Sequence, residues 1–320
     1  MVWRGTTAFL PRSKRERSNT DNGVRLPEGG RTPLCFTLVE IEEEQMYMED
    51  HERVALSAEK KVRLLEVSLP RYLVLSALAG VYVGFGIALI FSVGGPLAAA
   101  GSPLVKLVMG LSFGIALTLV IFAGSELFTG NNMTGVIGGL SRSLTWTQVV
   151  RLNVWSWVGN LIGSLVFAWL VVQAGVLSKG PQAELIGNVA AMKMSLSAWE
   201  LFLRGLLCNW LVCLAVWTSG RTTNDAAKIM LIFWCLFAFI GTGFEHSVAN
   251  QSFLGMALFL PHGDAVSWAG YWYNQFYVVL GNIVGGGMFV GGLYWLASPY
   301  TVHRKDEREL PRTIAAREAC

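Results

Sequence analysis

Two neighbouring side chains able to exchange a proton, Glu245 and His246, lie in GFEHSVAN, inside a run otherwise free of charge from Ile229 to Gly263. A second acid, Glu126, lies in GSELFTGNN, in an apolar run from Leu107 to Ser141. The two stretches share the pattern G-x-E-x-x-x-[GA]-N-[NQ]. Each is followed at a similar distance by a second shared signature, GNLIG carrying Asn160 and GNIVG carrying Asn282. An acid in apolar sequence is costly to bury and is retained for a role. Two roles stay open for Glu126 and Glu245: bracing a helix break, or meeting a solute. A buried histidine is ordinarily a hydrogen-bonded core residue, yet it is also the side chain that titrates near neutral pH. His246 sits at a polar interruption with an internal counterpart, which favours a functional reading.

The elements that must position these groups are membrane helices. The 320 residues are 53% hydrophobic and 15% charged, with a mean hydropathy of +0.46. Crossing a hydrocarbon layer of about 30 Å takes about 20 helical residues. Apolar windows of that order are Tyr72–Val105, Leu107–Ser141, Leu152–Ser178, Ile229–Gly263 and Ala265–Val302, with a shorter one, Gly205–Gly220, after Arg204, whose long side chain suits the interface. The expectation is an all-α membrane protein of six transmembrane helices. Continuous runs, not alternating ones, argue against a barrel.

If spans one to three and four to six are equivalent, each unit has an odd number of crossings, so the second is inverted relative to the first. The polar, Gly-bearing interruptions predict that spans two and five are broken. There Ser125, Thr129, Asn131, Asn132, Ser247 and Asn250 can bond freed backbone groups. The N-terminal ends of two half-helices favour an anion or a polarised acid. Small-residue patterns such as Gly281, Gly285, Gly286 and Gly287 fit tight helix packing, and Asn160 and Asn282 fit interhelical hydrogen bonding.

Lys and Arg counted by alternate loops cluster on one side: Arg53, Lys60, Lys61, Arg63 and Arg71, then Arg142 and Arg151, Arg221 and Lys228, and the tail after Thr301. The other side carries Lys106, Lys179 and Lys193. The positive-inside rule then places both termini in the cytoplasm. Residues 1–45 read as a disordered extension without the apolar core of a signal peptide. Alternatively, translation starts at Met46 or Met48. Residues 46–71 read as an amphipathic helix leading into the first span, 72–298 as the channel domain and 299–320 as a cytoplasmic tail. His51, His262 and His303 fall in expected loops or tails. The five cysteines form no CxxC pair and read as packing residues, with no metal site and no cofactor. Basic residues flank spans instead of forming a patch with aromatics, which excludes nucleic acid as a partner.

GSELFTGNNM, RGLLCNWLVCLAVW (Arg204 to Trp217), GFEHSVAN and the GNIVGG run resemble, in order, the signature segments of the formate/nitrite transporter family, from about Lys60 to about Ser298. The resemblance implies an inner-membrane homopentamer in which each protomer has an aquaporin-like pore for formate, nitrite or a similar small monovalent anion. It implies His246 as the central histidine, Thr129 as the broken-helix threonine, Lys193 facing the outer vestibule, and Asn250 on the pathway. Glu126, Glu245, Asn131, Asn160, Asn209 and Asn282 become structural supports of the breaks. The implied constrictions fall by spacing on Phe113 and Leu117, with Phe128 beside Thr129, and on Phe239. A variable loop from Asn131 to Thr134 is expected to influence substrate preference.

A bare anion loses several kcal/mol entering an apolar ring, and its protonated form avoids most of that. The expected mechanism therefore has Lys193 attract the anion and His246 with Thr129 hydrogen-bond it, with passage as neutral acid or with a compensating proton. In the rival account His246 stays neutral and the anion diffuses. An aquaporin-like pore for hydrosulfide, lactate, acetate or a neutral solute is the alternative function, though NPA tripeptides are absent. An enzyme needs converging catalytic groups that one intramembrane histidine does not supply.

Overall fold

The computed structural model describes residues 33–298, with side chains from residue 47 onward. The chain falls into two units, Met1–Glu42 and Glu43–Cys320, and every helix lies in the second apart from the start of the first helix. Of the expected extension 1–45, residues 1–32 lie outside the described residues and 33–45 are described only as helical backbone; the tail 299–320 also lies outside.

Every regular element among the described residues is a helix. Helix α1 (Pro33–Val67) ends at Ser68, and Pro70 at the second position starts α2 (Leu69–Ala99). Then come α3 (Val105–Ser112), α4 (Ile115–Phe122) and α5 (Phe128–Leu140). Capping boxes, Thr145 with Gln148 and Ser197 with Glu200, begin α6 (Trp146–Gln173) and α8 (Ala198–Gly220), with α7 (Gly180–Ser195) between them. After α9 (Asp225–Thr242) and α10 (Ser247–Phe259) come α11 (Trp268–Ile283), a π-helical stretch Val284–Gly292, and α12 (Leu293–Ala297). Among the described residues, six stretches are long and apolar enough to cross a membrane: Leu69–Ala99, Val105–Phe122, Trp146–Gln173, Ala198–Gly220, Asp225–Thr242 and Trp268–Ala297. The expected all-α, six-crossing class holds. Asn131 to Thr134, expected as a loop, instead lie buried inside α5.

Two helix pairs, α2 with α6 and α8 with α11, form the framework. Both are drawn together by glycine. A Cβ at Gly163 would overlap the carbonyl oxygen of Ala77, and one at Gly281 would overlap that of Phe202. Lipid gives no hydrophobic drive to bring helices together, so such close backbone approach supplies the dispersion contact that does. Between the pairs, α10 stacks Phe253 on Phe91 of α2, with ring centroids 4.8 Å apart and planes 3° from parallel.

His51 is not in a loop. It continues the face of α1 that buries Ala55, Ala58, Val62 and Leu65, a spacing that puts all five on one stripe. Its ring packs edge-on to Trp217 (5.1 Å) and Trp295 (6.0 Å). Beside it, buried Asp50 accepts from Arg53 (2.8 Å) and from Arg221 at the end of α8 (2.7 Å). Burial pushes the His51 imidazole below its ordinary value of 6.5.

Gly163→Ala and Gly281→Ala each destabilise the protein by about 1–3 kcal/mol or more, read as loss of monodisperse protein in detergent; normal yields from both would refute the close-packing account. For His51 the unfolded chain takes up the proton more readily than the folded one. The stability of its docking is therefore full above about pH 6.5 and declines as pH falls below that. Thermal unfolding followed from about pH 8 to about pH 5 should show a shallower pH slope for His51→Phe than for wild type, and equal slopes would contradict this.

Candidate functional site

Gly124 (φ 75°) and Gly243 (φ 79°) lie in the left-handed region just past the ends of α4 and α9, where a side chain is strained. Residues 123–127 and 243–246 then run outside any helix before α5 and α10 begin. Their backbone groups are met almost identically. Asn160 of α6 donates to the carbonyls of Ser76 (2.7 Å) and Glu126 (2.8 Å) and accepts from the N–H of Phe128 (2.8 Å). Asn282 of α11 donates to the carbonyls of Gly205 (2.8 Å) and Glu245 (3.1 Å) and accepts from the N–H of Ser247 (2.9 Å). The N–H of Glu126 reaches Leu75 O, and that of Glu245 reaches Arg204 O, both at 3.2 Å. Asn209 of α8 ties the two halves together, donating to the carbonyls of Thr129 (3.1 Å) and Asn282 (2.6 Å).

Each glutamate is the centre of a lysine–carboxylate–asparagine cluster. Lys193, in the last turn of α7, donates to Glu245 (2.8 Å) and Asn250 (3.2 Å), and Asn250 donates to Glu245 (2.6 Å) and Asn274 (2.9 Å). Lys61 of α1 donates to Glu126 (2.8 Å) and Asn131 (2.9 Å), and Asn131 reaches Glu126 (3.3 Å) and the Tyr72 hydroxyl (3.2 Å). Lys61 is not among the residues expected from sequence, although the repeat holds the signal: if Glu245 and Asn250 share a lysine, their counterparts Glu126 and Asn131 should have one.

Where the first turns of α5 and α10 meet, Thr129 Oγ1 lies 3.0 Å from His246 Nε2. His246 is the N-cap of α10, its Nδ1 accepting from the N–H of Ala249 (3.0 Å). An Nδ1 that accepts carries no proton, so the ring is the neutral Nε2–H tautomer and donates to Thr129. Protonating Nδ1 would make it a donor facing the N–H of Ala249 and break the cap.

His246 and Phe239 separate two cavities. One is a chamber of about 10 Å³, room for about one water, lined by Phe113, Leu117, Leu127, Val212 and other apolar groups, with His246 its one polar residue. The other is a vestibule of about 790 Å³ whose lining includes Phe239, His246, Lys193, Glu245 and Asn250. Phe113 and Phe239 meet edge to face at 5.5 Å, and Phe239 stacks near the imidazole at 5.9 Å. Of the expected constriction residues, Phe113, Leu117 and Phe239 converge here. Phe128 is buried with its N–H on Asn160 and does not line the chamber; Leu127, in the non-helical stretch before α5, and Val212 of α8 do, and no sequence pattern marks them.

Residues 48–296 match the model of the family described as formate/nitrite transporter. The nitrite transporter NirC of Salmonella typhimurium is 42% identical over 274 residues, 86% of this chain and 98% of the relative. A probable formate transporter of Methanothermobacter thermautotrophicus is 42% identical over 245 residues, 71% and 88% of the two chains. Among solved structures, an FNT family ion channel superposes with a TM-score of 0.75 at 42% identity, covering 79% of this chain and all of the other. A pentameric formate channel with formate bound gives 0.64 at 28% identity, covering 72% and 97%. The chain is a multi-pass membrane protein and belongs to the formate/nitrite transporter family of channels and transporters, not enzymes.

Proposed function

We propose that this protein is a channel for nitrite or formate in the inner membrane, both termini cytoplasmic, assembled as a homopentamer with one pore per protomer. The relatives named for nitrite and for formate support the substrate class, and the pentameric formate channel supports the assembly. The observation that carries the reading is the one-water chamber whose sole polar residue is His246. Spans two and five are discontinuous in this reading, and the two short helices α5 and α10 bring the positive ends of their dipoles towards the chamber.

An anion that enters the chamber sheds its water and meets apolar walls, which is costly unless a proton accompanies it. The Nε2–H of His246, resting on Thr129, supplies a hydrogen bond to an entering oxygen. The ring takes a proton only when the anion's charge offsets the lost bond to Ala249. Proton-coupled passage therefore runs through a histidine that is neutral at rest. Glu126 and Glu245 brace the breaks and do not bind the solute, because each carboxylate is already committed to a lysine and an asparagine.

Two measurements test this. In proteoliposomes, His246→Asn retains a capping side chain for α10 but loses the titratable ring, so nitrite and formate uptake should persist with a flattened pH profile; an unchanged profile would sink the role given to His246. For the bracing, Lys193→Met strands a carboxylate that is 1% exposed and should cost about 3–5 kcal/mol of stability. Adding Glu245→Leu should recover most of the loss in thermal unfolding, whereas additive damage would mean that the pair does not act as a unit.

A further inference from the structure

Lys193 is expected from sequence to draw anions into the vestibule, but its Nζ lies 2.8 Å from Glu245 Oε2 and also donates to Asn250. The pair is neutral as a unit. Four charged residues line the vestibule, Lys106, Lys193, Arg204 and Glu245, so its surplus positive charge belongs to the two that remain. Lys106, exposed at the start of α3, has no ion pair among the described residues. Arg204 of α8 has one loose contact, 3.6 Å to a half-exposed Glu200, whose other oxygen is engaged by Ser197 in the helix cap. The place of Arg204 in the sequence suits its side chain to the lipid interface; the structure puts it on the cavity wall instead.

We propose that Lys106 and Arg204, reaching one vestibule from two different spans, form the collecting site that concentrates small monovalent anions ahead of the Phe239–His246 constriction, while Lys193 holds Glu245. One unpaired cation, Lys106, and one held only loosely, Arg204, over largely apolar walls focus their field into the cavity and raise the local anion concentration. Because both are open to solvent, the effect is screened by salt. Arg204 contributes to the fold through its backbone carbonyl, which receives the Glu245 N–H, and a side-chain substitution leaves that bond in place. This inference rests on the anion-channel reading above.

The test is initial uptake of nitrite and of formate by the full-length chain in proteoliposomes, at low substrate, with inert salt varied from about 0.01 M to about 1 M, over which the screening length shrinks from ~30 Å to ~3 Å. Lys106→Gln/Arg204→Gln should lower uptake roughly three- to ten-fold at low salt, raise the half-saturating concentration with little change in maximal rate, and converge with wild type at high salt. Lys106→Arg/Arg204→Lys should restore the wild-type salt dependence. Equal uptake by the Gln variant and wild type at low salt would overturn the inference, as would a loss insensitive to salt that falls on the maximal rate. Absence of nitrite and formate flux in the wild type would overturn the anion-channel reading itself, a distinct outcome.

Discussion

Wherever a polypeptide leaves its helix among apolar spans, the freed N–H and C=O groups must find partners in protein, because there is no water to take them. Here that requirement is met by two asparagines, each donating two hydrogen bonds and accepting one at a break between helices. Much else depends on it. The asparagines must stand next to the breaks, so α6 must lie against α2 and α11 against α8, and the glycines at those contacts remove the side chains that would hold the backbones apart. Once the breaks are held, the first turns of α5 and α10 can face each other with Thr129 and His246 in contact.

The charge clusters show a related economy. A buried carboxylate is tolerable only if paired and hydrogen-bonded, and each glutamate has a lysine and an asparagine arranged about it. Three spans separate Lys61 from Lys193, so the clusters lie towards opposite faces of the bundle. The arrangement keeps the charged groups near the breaks but leaves the small chamber between Phe113, Leu117 and His246 without any formal charge.

Much of this is legible in sequence, and for definite reasons. Hydrophobic run length marks the six crossings because the bilayer fixes helix length. The repeated G-x-E and GN signatures point to Asn160 and Asn282 because both halves must solve the same backbone problem. Less legible are contacts between distant segments. Leu127 and Val212 look like any apolar residue until four helices bring them together. Arg204 near a span end suits the lipid interface as well as a cavity, and only the position of α3 and α7 decides which. His51 does carry a signal in the sequence: it falls on the same stripe as Ala55, Ala58, Val62 and Leu65, and a polar residue in such register is a core residue.

The chamber's size has a consequence for a cell that must keep its ion gradients. With room for about one water, it cannot hold an ion together with a hydration shell, nor an unbroken file of waters along which protons would hop. In the channel reading proposed above, conduction then depends on the side chains that line this chamber, Phe113, Leu117 and Phe239 among them, yielding for an instant. Rotamer motions of that kind involve no sliding of helices. On that reading, the leak through an idle pore is governed by how often a few rings and branches swing aside, and the membrane's electrical tightness rests on their packing.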